Sequence, residues 1–130
     1  MDTSRNPVGW FEIPTKDILR AKKFYEDILD SELELKEMNI KEQGAIKMAV
    51  FPMTSHAQGA AGSLVEGKEY SPSHKGSRIY FSVENIEETL DRVEKCGGKV
   101  IQPKTSIGQY GYIAHVEDTE GNEISLHVAH

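Results

Sequence analysis

The chain repeats itself, and a duplicated unit restricts it to folds in which two similar halves pack together. The segment Trp10-Phe11-Glu12-Ile13-Pro14-Thr15-Lys16-Asp17-Ile18 runs on into RAKKFYEDIL. About 68 positions later it returns as Arg78-Ile79-Tyr80-Phe81-Ser82-Val83-Glu84-Asn85-Ile86, which runs on into EETLDRVEKCGG. Each copy reads as a short strand, a polar turn and a helix. Successive strand side chains point to opposite faces. Phe11 and Ile13 therefore share one face of the first strand, as Ile79 and Phe81 share one of the second. The opposite faces differ, with Trp10 and Glu12 in one copy and Arg78 and Tyr80 in the other. Two half-folds that match in their apolar faces and differ in their polar ones suggest a single site where those polar faces meet.

A length of 130 residues suits one domain, and it is enough to bury a core without disulfides or a structural metal. Cys96 is the single cysteine and has no partner for an internal disulfide. No leader pattern of charges, apolar run and cleavage site opens the chain, so a reducing cytoplasm is expected. Apolar runs are only a few residues long, so no membrane span is expected. The formal charge is −6, from 21 acidic and 15 basic residues. The basic residues are dispersed, which argues against a nucleic-acid partner, since phosphate binding needs a basic footprint.

Along the chain, Asp17 is placed to cap a helix over about Asp17 to Leu29. Its stripe Ile18, Ala21, Phe24, Tyr25 and Ile28 follows three-and-four spacing. Leu33 and Leu35 alternate with charges as a half-buried strand. Gly44 marks a hairpin into the strand 45–51, which Pro52 ends. Residues 55–59 read as a loop, and Ala61, Ser63, Leu64 and Val65 as a fourth strand. The polar stretch between Gly67 and Gly76 connects the halves. The second half predicts a strand from Arg78, a helix through Ile86, Leu90 and Val93 that stops at Gly97-Gly98, and a strand Lys99-Val100-Ile101. Two closing strands, Tyr110 to Val116 and Glu123 to Val128, are joined by the hairpin loop Asp118 to Asn122, where Gly121 tolerates positive φ. The expectation is an α+β chain with βαβββ written twice. Module one covers about residues 8–67, the connector about 68–77 and module two about 78–130, all in one domain spanning 1–130.

In this order of elements, with an FY pair in the first helix and a D-x-E-G-N turn near the end, the chain resembles the vicinal oxygen chelate superfamily. That family includes glyoxalase I, extradiol dioxygenases and bleomycin- or fosfomycin-resistance proteins. The likeness is carried by WFEIPTKDILRAKKFYEDIL, the Gly-Ser-Leu around Ser63, RIYFSVENI, KCGGKVIQPK and GYIAHVEDTEGNEISL, and is nearest to the little-characterised glyoxalase-related proteins of bacteria. It implies a half-open barrel, a small-molecule ligand and a homodimer. In metal-dependent members it also implies four ligands, one from the first and one from the last strand of each half. Those positions fall on Trp10, Ser63, Arg78 and Ser125. None is an ordinary ligand for a divalent cation, and an arginine sets a fixed positive charge where the ion would sit. No metal or other cofactor is therefore expected. A slip of one residue exchanges the faces, so register decides this list.

The candidate binding residues are Trp10, Glu12, Ser63, Arg78, Tyr80 and Ser125. An arginine can grip an organic anion, a carboxylate can move a proton, and aromatics can hold an apolar body. A structural alternative is a Glu12–Arg78 ion pair with Trp10 as packing. Of the five histidines, His56 and His74 fall in polar loops and His130 at the terminus. His115 and His127 lie on the closing strands, and by parity with Ser125 only His127 is expected to reach the cleft. A divalent metal ion held by His127, His115 and Glu12 is the alternative that keeps a metal-dependent enzyme of glyoxalase or dioxygenase type in play. Cys96, at a helix C-terminus, is expected to be inert. Tyr110 and Tyr112 are either cleft rim or surface aromatics. A module that binds without chemistry and an enzyme both remain open.

Overall fold

In a computed structural model of the chain, residues 6–40, 44–55 and 57–130 are described; His56 lies outside them. The elements are β1 (Phe11–Pro14), α1 (Ile18–Leu29), β2 (Glu34–Ile40), β3 (Gly44–Val50) and β4 (Gly62–Glu66), then β5 (Tyr80–Ser82), α2 (Ile86–Lys95), β6 (Lys99–Ser106), β7 (Tyr112–Glu117) and β8 (Glu123–Val128), with a 3-10 turn over Gly108–Tyr110. The order βαβββ thus occurs twice, in an α+β fold. One sheet runs β1-β4-β3-β2 and the other β5-β8-β7-β6. In both, the first strand lies parallel to the last and the remaining pairs are antiparallel.

Local chemistry sets the helices. Asp17 Oδ1 accepts from the Arg20 amide at 3.1 Å and Asn85 Oδ1 from the Glu88 amide at 3.0 Å, so both N-termini are capped, the first by the residue the sequence nominates. In α2, Glu87 and Glu88 occupy the first turn and Arg92 and Lys95 the last, each complementing the helix dipole. Gly97 adopts φ +95° after α2, and the Gly98 amide returns to the Val93 carbonyl at 2.8 Å.

The helices press their apolar stripes onto one face of each sheet, and one core spans both modules. It holds Ile13, Phe24, Tyr25, Ile28, Phe51 and Leu64 from the first half with Ile86, Val93, Ala114, Val116, Ile124 and Leu126 from the second. The edge strands β1 and β5 meet through Phe11 and Phe81, whose rings are 5.9 Å apart and nearly perpendicular, a favoured aromatic geometry. Gly62 is required there, because a Cβ on it would stand 2.4 Å from the Phe11 carbonyl oxygen.

Several strand boundaries differ from the sequence reading. β1 and β5 begin at Phe11 and Tyr80 rather than at Trp10 and Arg78. β7 begins at Tyr112, because Gly111 with φ +106° turns the chain there. β6 continues well past Ile101 to Ser106 in spite of Pro103. It is an edge strand, and register shifts flanking Gln102 absorb the proline, which has no amide to donate.

The β7–β8 loop is an anchor. Asp118 Oδ1 accepts from the amides of Glu120 and Asn122, and Oδ2 accepts from the Tyr25 hydroxyl at 2.6 Å. The Glu120 side chain is 0% exposed. It accepts from the amides of Lys16 and Asp17 and from the Arg20 guanidinium, so module two fastens the start of α1 in module one. Burial by itself would raise the Glu120 pKa, but these donors outweigh burial and hold the carboxyl below its ordinary value.

Candidate functional site

Register places the polar residues in two matching rows. In the first sheet Glu12 of β1 stands beside Ser63 of β4, and Ser63 beside Val50 of β3. In the second, Tyr80 of β5 stands beside Ser125 of β8, and Ser125 beside His115 of β7. Direct cross-strand partners share a face. His115 is therefore on the Ser125 face, contrary to the expectation that His127 alone could reach it; strand parity within β8 carried no information about β7. His127 shares the face too, but its Nε2 donates to the Tyr110 carbonyl at 2.7 Å.

The two serines are both 0% exposed and differ in their partners. Ser125 Oγ lies 2.6 Å from His115 Nδ1. Ser63 Oγ has no hydrogen-bond partner among the described residues, because valine occupies the position that histidine holds in the second module. The His115 ring sits edge-on to Tyr80, with centroids 6.1 Å apart. Burial, then the charge of Arg78, holds the imidazole below its ordinary pKa, and Glu123 opposes them.

Arg78 does not pair with Glu12. Tyr80 and Ser125 are in register, which brings Arg78, two residues before β5's first position, beside Glu123, and the two form an ion pair. His74 of the connector joins the cluster, donating from Nε2 to Glu117 at 2.9 Å. Glu12 instead neighbours Tyr70, whose phenol is raised above its ordinary pKa first by burial and then by that carboxylate.

A predominantly apolar cavity of about 520 Å³ lies between the edge strands β1 and β5 and is lined by Val8, Phe11, Phe51, Ala61, Arg78 and Tyr80 among others. A smaller polar one, about 120 Å³, takes in Glu12, Ile79, Asn122, Glu123 and connector residues Ser71, Ser73 and Lys75. Of the six residues nominated from sequence, Arg78 and Tyr80 share the larger cavity and Glu12 opens to the smaller. Ser63 and Ser125 are enclosed in the sheets. Trp10, 42% exposed, lines neither cavity. Tyr110 is exposed on the 3-10 turn, and Tyr112 turns to Lys104, whose ammonium stands 4.5 Å over its ring.

The donor set does not fit a divalent cation. At the four positions the resemblance implies for metal there are an indole, two enclosed hydroxyls and a guanidinium already engaged by Glu123. The shifted set is not assembled either, since among the described residues no three of His, Cys, Asp and Glu are grouped to hold an ion. Cys96 has its thiol pKa raised by burial and by Asp27, which keeps it protonated. Among the described residues no helix is long and apolar enough to cross a membrane.

A family model, Glyoxalase/Bleomycin resistance protein/Dioxygenase superfamily, matches residues 8–126. A glyoxylase-like domain-containing protein of Didymella fabae is 28% identical over 116 residues, covering 88% of each chain. Among solved structures, a glyoxalase family protein from Bacillus cereus superposes with a TM-score of 0.71 at 18% identity, covering 99% of this chain and 98% of that one. A glyoxalase I mutant from Zea mays superposes with a TM-score of 0.67 at 17% identity, covering 94% of this chain but 46% of the maize chain, so this chain spans about half of it. The structural likenesses speak to the fold.

Proposed function

The chain belongs to the glyoxalase/bleomycin resistance protein/dioxygenase superfamily, and within it we propose a small-molecule-binding protein whose cleft takes an organic anion without the metal used by other members. The observation that carries this reading is the placing of Arg78 and Tyr80 on the wall of one largely apolar cavity. Phe11, Phe51 and Val8 supply apolar area to cover a ligand body, at about 25 cal/mol per Å² removed from water. Arg78 supplies the charge. A guanidinium carries five N–H donors, so its pairing with Glu123 leaves others for a carboxylate. Tyr80, 48% exposed, offers an aromatic edge and a hydroxyl at the rim. Ser63 and Ser125 stay enclosed in the sheets, and Glu12 opens to the smaller polar cavity. The same reading makes the protein a cytoplasmic homodimer, a state that light scattering on the purified chain tests directly.

Calorimetry with phenylacetate and with benzyl alcohol tests the anion site. Phenylacetate binds and the uncharged alcohol binds at least tenfold more weakly; Arg78→Met removes the difference. Equal affinities in the unaltered protein refute the reading. The rival reading, a metal-dependent enzyme, is tested by melting the protein with zinc, nickel or manganese. A tightly held ion stabilises the native state by mass action. We expect no rise in melting temperature, and a rise of several degrees with one ion per chain overturns the assignment.

A further inference from the structure

A further cavity lies on the helix side of the fold, where the end of α1 meets the end of β5 and the first turns of α2. It holds about 480 Å³ and is bordered by residues 28–31, 81–85, 88, 89 and 92. Arg78, Tyr80 and Glu12 do not border it, so anion binding by Arg78 gives it no task.

The α1 wall is electronegative. α2 carries Arg92 and Lys95 in its last turn, whereas α1 has no basic residue in its own. The amides of Asp30 and Ser31 both return to the Glu26 carbonyl, which leaves the carbonyls of Ile28 and Leu29 without a donor among the described residues. The C-terminal carbonyls of a helix carry about half a negative charge between them, and Asp30 adds a full one beside them.

The opposite wall carries one cation, Arg92. On α1 the cations four residues from a carboxylate are paired, Lys22 with Glu26 and Lys23 with Asp27. Arg92 stands four residues after Glu88, yet it makes no ion pair among the described residues, and its five N–H donors remain for another acceptor. Charge then selects the ligand. A bare anion meets the carboxylates of Asp30, Glu84 and Glu88, and a bare cation meets the guanidinium. A molecule that carries both charges close together satisfies both walls. Between them Ile28, Leu29, Phe81 and Val83 belong to the core or pack against it, and they offer apolar area to a ligand body.

We propose that this cavity binds an α-amino acid with an apolar side chain, as the zwitterion: the ammonium donates to Asp30 and the end of α1, and the carboxylate accepts from Arg92. The site is separate from the cavity between β1 and β5, and it stands whether or not Arg78 binds anions.

Calorimetry with leucine, leucinamide and N-acetyl-leucine is the test. Leucine binds, and each analogue, which lacks one of the two charges, binds about 10-fold more weakly, the worth of one charge-assisted hydrogen bond. Arg92→Gln removes the preference for leucine over leucinamide. Asp30→Asn narrows the preference over N-acetyl-leucine, and asparagine tolerates the left-handed conformation that Asp30 adopts at φ +49°. NMR of the unaltered protein gives a readout that needs no variant: leucine moves the amide signals of Ser31 and Glu88 and leaves those of Ala61 and Arg78, on the other cavity, in place. Failure of leucine to bind, leucinamide or N-acetyl-leucine binding as tightly as leucine, preferences that survive in the variants, or signals that move at Ala61 instead overturn the inference. Each of these outcomes leaves the anion site standing, since phenylacetate tests that site on its own.

Discussion

Replacing Ser63 or Ser125 by alanine removes the same atom from the same place in the two modules, yet the structure gives the two changes opposite consequences. Both side chains are 0% exposed, so neither hydroxyl is solvated in the folded protein. Unfolding hydrates both. For Ser63, whose Oγ has no partner among the described residues, folding carries an uncompensated desolvation penalty of about 1–3 kcal/mol. Ser63→Ala removes that penalty and leaves a void of about one oxygen atom among Val50 and its neighbours, so stability is unchanged or rises by about 1 kcal/mol. Ser125→Ala instead deletes the partner of His115 Nδ1 and strands a buried ring nitrogen, at a cost of about 1–3 kcal/mol. The difference between the variants is thus about 1–4 kcal/mol. Urea unfolding at pH 7 measures it as a separation of midpoints at common slope, since neither change alters the surface exposed on unfolding. Equal losses in the two variants refute the reasoning, because they show that the Ser63 hydroxyl is satisfied in the native protein.

The Glu120 carboxyl, held below its ordinary pKa in the fold, contributes stability above the unfolded value of about 4.3 and loses it as pH falls through the folded value. Glu120→Gln is therefore less stable than the parent by about 1.5–3 kcal/mol at pH 7, and the gap narrows on acidification; a gap independent of pH contradicts the assignment. Gly121 sits at φ +99° with open space around it, so Gly121→Val costs about 1–3 kcal/mol through backbone strain alone. A melting temperature equal to the parent's rejects that account of the turn.

Much of the architecture is local and so is visible in the sequence. The buried stripe of α1 follows from helical spacing, Asp17 and Asn85 declare the helix starts, and Gly97 marks where α2 ends. The repeat itself gives two modules of one design, since the strand–turn–helix order is encoded within each copy. The non-metal character of Trp10, Ser63, Arg78 and Ser125 is likewise a matter of side-chain chemistry and needs no coordinates.

Contacts between distant segments are another matter, because they depend on register, and register is set by the packing of whole sheets. No pattern around Arg78 distinguishes Glu12 from Glu123 as its partner; the pairing of Tyr80 with Ser125 does. His115 reads as an ordinary strand histidine until the antiparallel pairing of β7 and β8 sets it against Ser125. Glu120 reads as a turn residue until the fold carries it, across some hundred positions of chain, to the amides at the start of α1. Sequence periodicity determines which face a residue takes within its own element. Which residue it meets there is decided only when two elements, each free to slide by a residue on its own, are locked by a shared core.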